Sequence, residues 1–417
     1  MEEGFDLFTL DDFDIENKRV LLRVDFNLPL DKNTLEILDT TRIKKALPTI
    51  KELKSKKAKI VILAHQGRPG SWDFISMERH AKALSDLLSE PVKFVDDVCG
   101  EKAKSEIEAL KPGEILFLDN VRKLSEETEK KSAEEHAKSE LVKNLAPIVD
   151  FFVNDAFAAA HRAQCSLIGF TPVLPSCAGR LMETEIKTLE KLLKNPEKPA
   201  VFVFGGAKFS DIAITIDRLL SKNTADKIIL TGLAANAFLF AKGFDLGENN
   251  IKRILEEDGE SLEKIKNLLS KFEKKIILPV DLAIEENNDR KEIGVEELPT
   301  DYEIYDIGSK TINLIKEILS KAKTIFLSGP CGVFENQNFM KGTKEVFETI
   351  ARSNAFSIAG GGHTVAAIEK LGLAKDFSHI STGGGSLEKF LMGEKLPVIE
   401  ALKESRKKFL KLVRREE

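Results

Sequence analysis

Short, continuous apolar runs alternate with helical stretches along almost the whole chain, and this alternation limits the possible folds more than any other feature. The runs are rich in Val, Ile, Leu and Phe without polar alternation, so we expect strands that are buried on both faces. Strands of this kind, each followed by a helix, are typical of parallel sheets in α/β proteins. The predicted strands are Val20–Val24, Ile60–Leu63, Ile115–Leu118, Phe151–Val153, Ala200–Phe204, Ile228–Leu230, Ile276–Leu278, Thr324–Leu327 and Ala355–Ile358.

A domain boundary is predicted near the middle of the 417-residue chain, whose length suits two or three domains. Residues 181–194 carry apolar side chains at positions 186, 189, 192 and 193, which form one face of an amphipathic helix that Asn195-Pro196 ends. We interpret this helix as a connection between two α/β halves. The predicted divisions are an N-terminal domain at 1–180 joined by the C-terminal segment 395–417, an interdomain helix at 181–195, and a C-terminal domain at 196–394.

The last stretch of the chain, 397–417, is predicted to be a basic helix. Its apolar positions are Phe409, Leu410 and Leu412. A helix of this composition is typically docked on a protein surface through its apolar side chains. We therefore expect a docked surface helix here.

Composition and charge exclude several classes of protein. The formal net charge of −5 gives no basic field for nucleic acid or an anionic membrane. No apolar run reaches the roughly 18 residues that would span a bilayer, and the start of the chain, Met-Glu-Glu-Gly-Phe-Asp, lacks the order of a signal peptide. The scattered cysteines, Cys99, Cys165, Cys177 and Cys331, favour a reduced intracellular protein. We expect a cytoplasmic protein with no nucleic-acid or membrane partner, either a monomer or a homodimer.

The residues that follow the strands differ between the two halves. In open parallel sheets, ligands bind beyond the carboxyl ends of the strands. In the first half these positions are charged or amide-bearing, and several guanidiniums there predict a site for a small ligand with several negative charges. The segments and residues are Asp25-Phe26-Asn27, Arg42, His65-Gln66-Gly67-Arg68, Asn120, Arg122, Asn154-Asp155 and His161-Arg162.

In the second half the strand ends are rich in glycine. Glycine lets the backbone approach a ligand closely, and a following helix offers free N–H groups and a positive dipole. Several such turns at one sheet edge predict a site for the phosphates of a nucleotide. The turns read Gly205-Gly206-Ala207-Lys208, Thr231-Gly232, Ser328-Gly329-Pro330, Gly360-Gly361-Gly362-His363-Thr364 and Thr382-Gly383-Gly384-Gly385-Ser386.

Taken singly, each of these motifs has an ordinary structural interpretation. A lone glycine cluster is usually a turn, a lone arginine is usually a surface charge, and His65 or His161 alone would be structural. The charge run Glu126–Lys131 is expected to be the solvated face of a helix. The distribution of these motifs favours a functional interpretation over a structural one, because basic groups gather in one half of the chain and glycines in the other. The chain has no GxxxxGK[ST], and the turns at Gly360 and Gly383 lack the third glycine of GxGxxG.

Seven segments in order resemble the signature blocks of the phosphoglycerate kinase family, in particular its archaeal-like members. They run from near residue 20 to near residue 390, and seven ordered blocks are far more specific than any single one. The resemblance implies two Rossmann-like, three-layer α/β domains with parallel sheets joined by a hinge helix. The segments are RVDFNLP (23–29), HQGRP (65–69), NDAFAAAHRAQCS (154–166), GGAK (205–208), GPCGVFE (329–335), GGGHTVAA (360–367) and SHISTGGGSLE (378–388).

The resemblance also implies a reaction and residue roles. The family transfers a phosphoryl group between 1,3-bisphosphoglycerate and ADP, giving 3-phosphoglycerate and ATP in glycolysis and gluconeogenesis, with Mg²⁺ accompanying the nucleotide. Arg42 and Lys208 would be catalytic. The residues implied to bind 3-phosphoglycerate are Asp25, Phe26, Asn27, Arg42, His65, Gln66, Gly67, Arg68, Arg122 and Arg162. Those implied to bind the nucleotide are Gly206, Lys208, Glu335, Gly361, Gly362, His363 and Thr364.

Two positions depart from the family pattern. Many members have a second lysine four residues after the first, where this chain has Ile212. The usual GGGDT is GGGHT here, so that His363 replaces a metal-binding aspartate, and Mg²⁺ prefers oxygen ligands to an imidazole. Archaeal-like members share this type of substitution, so the resemblance still implies an active enzyme.

Three alternatives stay open from the sequence. The first is an NAD-dependent oxidoreductase on two α/β domains, which the incomplete GxGxxG disfavours. The second is a non-catalytic binding protein that retains the fold, although Arg42 and Lys208 are both present. The third is a nucleic-acid-binding protein, which the acidic net charge disfavours.

Overall fold

The computed structural model describes residues 6–413, which form two compact units. The first unit contains the chain up to Lys187 together with the segment from Lys395 onward, and the second runs from Thr188 to Glu394. The predicted connecting helix is present at Arg180–Lys194, and the division between the units falls within it.

The first part of the chain alternates strands with helices as the apolar pattern predicts. The elements in order are β1 (Arg19–Arg23), α1 (Thr41–Ser55), β2 (Lys59–Leu63), α2 (Glu78–Leu88), β3 (Lys93–Val95), α3 (Glu101–Ala109), β4 (Ile115–Leu118), α4 (Ala133–His136), α5 (Glu140–Leu145), β5 (Phe151–Asn154), α6 (Cys165–Ile168), β6 (Ser176–Ala178) and α7 (Arg180–Lys194).

The sheet of the first unit has six parallel strands in the order β3-β4-β2-β1-β5-β6. Successive residues of β1 pack into different cores, since Val20 and Leu22 belong to one cluster and Leu21 to another. Both faces of the sheet are therefore covered, which explains the continuous apolar runs. The strand order reverses beside β1, because β2 lies on one side of it and β5 on the other.

The second part of the chain repeats this alternation with one insertion. Its elements are β7 (Ala200–Phe204), α8 (Phe209–Ser221), β8 (Lys227–Leu230), α9 (Gly232–Lys242), α10 (Glu248–Asp258), α11 (Leu262–Phe272), β9 (Ile276–Ile277), β10 (Asp281–Glu286), β11 (Asp289–Gly294), β12 (Ile304–Ile307), α12 (Ser309–Leu319), β13 (Thr324–Ser328), α13 (Lys341–Ala351), β14 (Phe356–Gly360), α14 (Gly362–Lys370), β15 (His379–Ile380), α15 (Gly385–Met392) and α16 (Pro397–Val413).

The main sheet of the second unit is also six-stranded and parallel, in the order β15-β14-β13-β7-β8-β9. Its strand order reverses between β7 and β13, so the turns after these two strands are neighbours at the carboxyl edge. The predicted fold class, two α/β domains with parallel sheets, is confirmed.

An antiparallel sheet of three strands, in the order β11-β10-β12, was not predicted. Its edge strand β11 reads Asp-Arg-Lys-Glu-Ile-Gly and is largely exposed over its first four residues, so it lacks the apolar run of a buried strand. The one signal for this hairpin is Asn287-Asn288, whose φ angles of 55° and 65° suit a tight turn between antiparallel strands.

The C-terminal helix α16 belongs to the first unit. Phe409 and Leu410 pack against its core as the sequence predicts, and the Ser405 hydroxyl accepts a hydrogen bond of 3.1 Å from the backbone N–H of Ser176. Leu412 is 68% exposed, so the prediction that it docks is wrong, and Val413 packs against the core instead. The predicted helix at 397–417 ends outside the described residues. No helix of residues 6–413 combines the length and the apolar character needed to cross a membrane.

Candidate functional site

Guanidinium groups converge at the carboxyl edge of the first sheet, around His65. The pKa of His65 is held well below its usual value, first by burial and then by the positive charges of Arg23, Arg122, Arg162 and Arg42. Arg23 ends β1 and Arg42 lies in α1 after it, while His65, Arg122 and Arg162 follow β2, β4 and β5. These four strands are neighbours in the sheet. The sequence prediction that basic side chains from separate strand ends meet at one edge thus agrees with the geometry.

Arg122 is the most constrained of these cations. Its side chain lies in a short turn after β4 and donates through Nη1 to the carbonyl of Gly67. Burial, followed by the charges of Arg162 and Arg23, lowers its pKa to about 10. Its Nε is buried without a partner in the described chain, so an N–H donor inside a positive cluster is unsatisfied. A donor of that kind is well suited to an anionic ligand.

The loop after β1 supplies polar groups to the same edge. Nη1 of Arg42, at the start of α1, donates to the Asp25 carboxylate at 2.6 Å. Oδ1 of Asn27 accepts from the backbone N–H of Gly67 at 2.9 Å, which connects the loops after β1 and β2. Arg68 follows at the exposed end of the second loop, where its charge further lowers the pKa of Arg122.

Two of the predicted binding residues have structural roles for their side chains. Phe26 is fully buried, with its ring 6.0 Å from that of Phe117, so its side chain belongs to the core. Gln66 is 1% exposed, and its amide is fully engaged inside the protein. Its Oε1 accepts from the N–H of Leu28 and lies 3.0 Å from Nε2 of His80, while its Nε2 donates to the carbonyl of Leu28. These two side chains hold the loops in place, which leaves only their backbone groups for contact with a ligand.

A buried ion pair beneath the cluster was missed from sequence. Arg23 and Glu127 are both fully enclosed, and Ser166 hydrogen-bonds each of them. The expectation that Glu126–Lys131 is a solvated helix face is therefore wrong at Glu127, because the segment is a short turn that directs this carboxylate inward. Nothing in a run of mostly charged side chains distinguishes the one buried member. The one sequence feature that could have indicated a buried ion pair is Arg23, a charged residue at the end of an apolar strand.

The glycine turns of the second unit pack against each other at the point where its strand order reverses. Gly205 follows β7, and Gly329 follows β13 with a φ of 92°. A side-chain carbon at Gly329 would overlap the Gly205 carbonyl, and one at Gly205 would overlap the carbonyl of Pro330. Only glycine allows the two turns to come this close.

A cavity of about 460 Å³ opens beside these turns. Its lining combines the glycine turns with the first residues of α14, whose free N–H groups suit a phosphate. The predicted nucleotide residues in the lining are Gly206, Lys208, Gly361, Gly362, His363 and Thr364. A smaller cavity of about 130 Å³ shares Gly206 and Pro330 with it and has a mostly apolar lining.

Lys208 is exposed and already paired. Its Nζ lies 2.9 Å from both carboxylate oxygens of Glu388, on α15. Among the described residues that line the larger cavity, Lys208 is the one lysine or arginine. Ile212, one turn further along α8, lines the same cavity with an apolar side chain, so the family's second lysine has no replacement there.

Two other predicted nucleotide residues occupy different positions. Thr364 is 1% exposed, and its hydroxyl accepts a hydrogen bond of 2.7 Å from the backbone N–H of Gly329, so that it supports the glycine turn. Glu335 is exposed and lies outside the lining of both cavities.

The cavity does not provide a protein cage for a metal ion. In residues 6–413, no three or more His, Cys, Asp or Glu side chains are grouped as a metal site. The carboxylates of Asp211, Glu257 and Glu388 line the larger cavity singly. This arrangement fits Mg²⁺ that arrives with nucleotide phosphates and keeps most of its waters, which is its usual mode of binding.

Comparison with known proteins gives one consistent result. The profile of the family described as phosphoglycerate kinase matches residues 10–394. The phosphoglycerate kinase of Methanothermus fervidus is 47% identical over 405 residues, covering 97% of this chain and 98% of the relative. That of Methanococcus maripaludis is 49% identical over 411 residues, covering 96% and 99%.

Solved structures agree with these relatives. The crystal structure of phosphoglycerate kinase from Pyrococcus horikoshii has a TM-score of 0.88 at 42% identity, covering 97% of this chain and 100% of the other. The structure from Coxiella burnetii has a TM-score of 0.83 at 34% identity, covering 95% and 99%. The chain therefore belongs to the phosphoglycerate kinase family of phosphotransferases, which use ATP and ADP as substrates.

Proposed function

We propose that the chain catalyses reversible phosphoryl transfer between 1,3-bisphosphoglycerate and ADP, giving 3-phosphoglycerate and ATP, with the first unit binding the glycerate and the second the nucleotide. The observation that carries this proposal is the partition of the binding groups. A cluster of guanidiniums occupies one unit, and a cavity of glycine turns at a helix N-terminus occupies the other. No observation favours an oxidoreductase, a passive binding protein or a nucleic-acid-binding protein.

The guanidinium cluster suits 3-phosphoglycerate, which carries a carboxylate and a phosphate. Planar guanidiniums bind both groups through paired N–H donors. Arg122, with its unsatisfied Nε, and the neighbouring Arg162 are suited to the phosphate. Arg42 is 41% exposed at its side chain, so we assign it to the phosphoryl group that is transferred. The remaining proposed contacts are Asp25, Asn27, His65 and Arg68, with backbone contacts from Phe26, Gln66 and Gly67.

The nucleotide would bind across the two cavities of the second unit. Gly206, Gly361 and Gly362 present backbone N–H groups to the phosphates, with Lys208 and His363 at the rim. Thr364 contributes through the turn that it supports, and the exposed Glu335 is assigned to the ribose. Lys208 is paired with Glu388, so contact with a phosphate oxygen would exchange this exposed ion pair for one with the nucleotide.

The chemistry needs no general base. In the direction of ATP consumption, a carboxylate oxygen of 3-phosphoglycerate attacks the terminal phosphorus, and the bond from phosphorus to the oxygen of ADP breaks with its electron pair. The carboxylate is already ionised at neutral pH, so catalysis can come from alignment and charge neutralisation. Arg42 and Lys208 supply that charge, together with the N–H groups at the start of α14. When Mg²⁺ is bound, it adds a further positive charge at the nucleotide phosphates.

Transfer requires that the two ligands meet, so we propose that the units close on a hinge around α7 during the reaction. Closure would also exclude water, which otherwise hydrolyses the acyl phosphate. We further assign the enzyme to the cytoplasm, because all four cysteines are free and buried.

A coupled assay tests this function directly. We expect ATP-dependent phosphorylation of 3-phosphoglycerate that requires Mg²⁺, followed through a dehydrogenase that consumes the acyl phosphate. A folded protein with Mg²⁺ that shows no turnover would overturn the proposal. Tight binding of NAD without binding of ADP would favour the oxidoreductase alternative instead.

A further inference from the structure

The buried residues beneath His65 form a chain of hydrogen bonds with a fixed direction. The Ser166 backbone N–H donates to Glu127 Oε2 at 2.7 Å, and the Ser166 hydroxyl donates to Glu127 Oε1 at the same distance. Because that hydroxyl hydrogen is committed to Glu127, the oxygen accepts from Arg23 Nε, also at 2.7 Å.

The last member of this chain is the imidazole of His65. Nη2 of Arg23 lies 3.1 Å from His65 Nδ1. A guanidinium has N–H donors and no acceptor, so Nδ1 must accept with its lone pair. A neutral imidazole with an unprotonated Nδ1 carries its single proton on Nε2.

The remaining surroundings keep the ring neutral. His65 is 2% exposed, and the charged groups that face it are the guanidiniums of Arg23 on β1, Arg42 on α1, and Arg122 and Arg162 in the loops after β4 and β5. The nearby carboxylates are already paired, Asp25 with Arg42 and Glu127 with Arg23. A protonated ring here would add a cation to a cluster of cations.

We propose that Arg23 is a positioning residue for phosphoryl transfer, which holds His65 as the neutral Nε2–H tautomer so that the ring gives the glycerate a directed hydrogen bond without adding charge. Nε2 has no protein partner in the described chain and is not among its fully enclosed unpaired atoms. Glu127 and Ser166 hold the guanidinium, and its other nitrogen, Nη1, donates to the carbonyl of Val24. The inference rests on the proposed function for the identity of the ligand, and on geometry alone for the tautomer.

A purely structural role for Arg23 makes a different prediction. A buried ion pair can often be replaced by uncharged side chains of similar size without loss of folding. If Arg23 and Glu127 only filled space, the double variant Arg23→Met/Glu127→Gln would leave the protonation of His65 unchanged. If Arg23 fixes the tautomer, the same variant frees Nδ1 and lets the ring exchange between tautomers.

The first test uses the wild-type protein labelled with ¹⁵N at histidine, with the His65 signals assigned from His65→Gln. We expect a protonated Nε2, an unprotonated Nδ1 and a ring that stays neutral as the pH passes through the ordinary histidine pKa of 6.5. A proton on Nδ1, or a cationic ring at pH 7, would overturn the proposal. This measurement needs no ligand, so it can be read even if the proposed function fails.

The second test compares Arg23→Met/Glu127→Gln with the wild type after circular dichroism has established that the variant folds. We expect a mixture of tautomers at His65 and a Kd for 3-phosphoglycerate about tenfold higher, with the Kd for ADP unchanged. An unchanged tautomer in the folded variant would show that Arg23 is structural only. Failure of the wild type to bind 3-phosphoglycerate would instead count against the proposed function.

Discussion

The two units prepare for negative charge in different ways. In the first, guanidiniums are partly buried, repel one another and are held by fixed hydrogen bonds. In the second, glycine turns and a helix N-terminus present backbone N–H groups, and the nearby cation, Lys208, is exposed and paired with Glu388.

This difference suits the two ligands. A small, rigid glycerate has few atoms through which to be recognised, so a preorganised cluster of directional donors provides specificity. A nucleotide arrives with a long phosphate chain and a metal ion that neutralises part of it, so backbone dipoles and one adaptable lysine are sufficient. The comparison predicts that substitutions in the first unit act strongly on the glycerate and that those in the second act more weakly on the nucleotide.

The largest expected effect is that of Arg42→Ala. Because Arg42 is assigned to the transferred phosphoryl group, we expect kcat to fall about 10²-fold or more, with little change in the Kd for ADP. Steady-state kinetics and calorimetry measure the two effects. The control is Arg79→Ala, which removes an exposed guanidinium from α2 of the same unit. Turnover within a few-fold of the parent would mean that Arg42 does not reach the reacting group.

The stability of the first unit should depend on His80. Burial lowers the pKa of His80 to about 4, below the ordinary value of 6.5 that it regains on unfolding. A lowered histidine pKa stabilises the fold above pH 6.5, and this contribution is lost as the pH falls from 6.5 towards 4. Between pH 7 and pH 5 this titration lowers the free energy of unfolding by about 2 kcal/mol.

Trp72 makes this prediction measurable, because it is the one tryptophan of the chain and lies in the first unit. Denaturant unfolding followed by its fluorescence should show a smaller loss of stability between pH 7 and pH 5 in His80→Gln than in the wild type. His363→Gln, in the second unit, is the control and should leave the loss unchanged. Equal losses in His80→Gln and the wild type would exclude His80 as the titrating group.

A smaller effect is expected at the pair of Lys208 and Glu388. Glu388→Gln frees Lys208 for a phosphate, so ADP should bind about two- to fivefold more tightly without Mg²⁺, as expected for loss of a competing exposed ion pair. Calorimetry in the presence of a chelator measures this, with Glu369→Gln on α14 as the control. Weaker binding of ADP by Glu388→Gln would show that the carboxylate assists the nucleotide instead of competing with it.

The smallest expected effect is that of His363→Asp. A carboxylate at the cavity rim offers Mg²⁺ an oxygen ligand that the imidazole does not, so half-saturation should occur at a several-fold lower Mg²⁺ concentration. Turnover measured against Mg²⁺ at fixed ATP gives this value. An unchanged Mg²⁺ dependence would mean that position 363 contacts neither the metal nor its nucleotide.

Much of the architecture could be predicted, because continuous apolar runs report strands that are buried on both faces. The short edge strands β3, β6 and β15 escaped prediction, since two or three residues carry too little pattern. The hairpin of β10 and β11 escaped because one face is solvated and polar. In each case tertiary context, not local preference, makes the strand.

The sequence indicated which basic side chains gather at one sheet edge, because their type reports their chemistry, but it did not indicate the contacts that only packing decides. Arginines after strands were recognised, and the structure brings Arg42, Arg122 and Arg162 together around His65. Burial of Glu127 could not be predicted, because its neighbours in the sequence are charged and solvated and its partner Arg23 is far away along the chain. The pairing of Lys208 with a glutamate 180 residues away is equally invisible in the sequence.

The measurement that tests the two-site account most directly is a pair of calorimetric titrations on two variants. In Arg122→Met we predict a Kd for 3-phosphoglycerate raised about 30-fold and an unchanged Kd for ADP, because a charged, partly buried donor is lost from the first unit alone. In Lys208→Met we predict the reverse pattern, with weaker binding of ADP and unchanged binding of 3-phosphoglycerate. If Arg122→Met weakened ADP while sparing 3-phosphoglycerate, the assignment of the two ligands to the two units would be wrong.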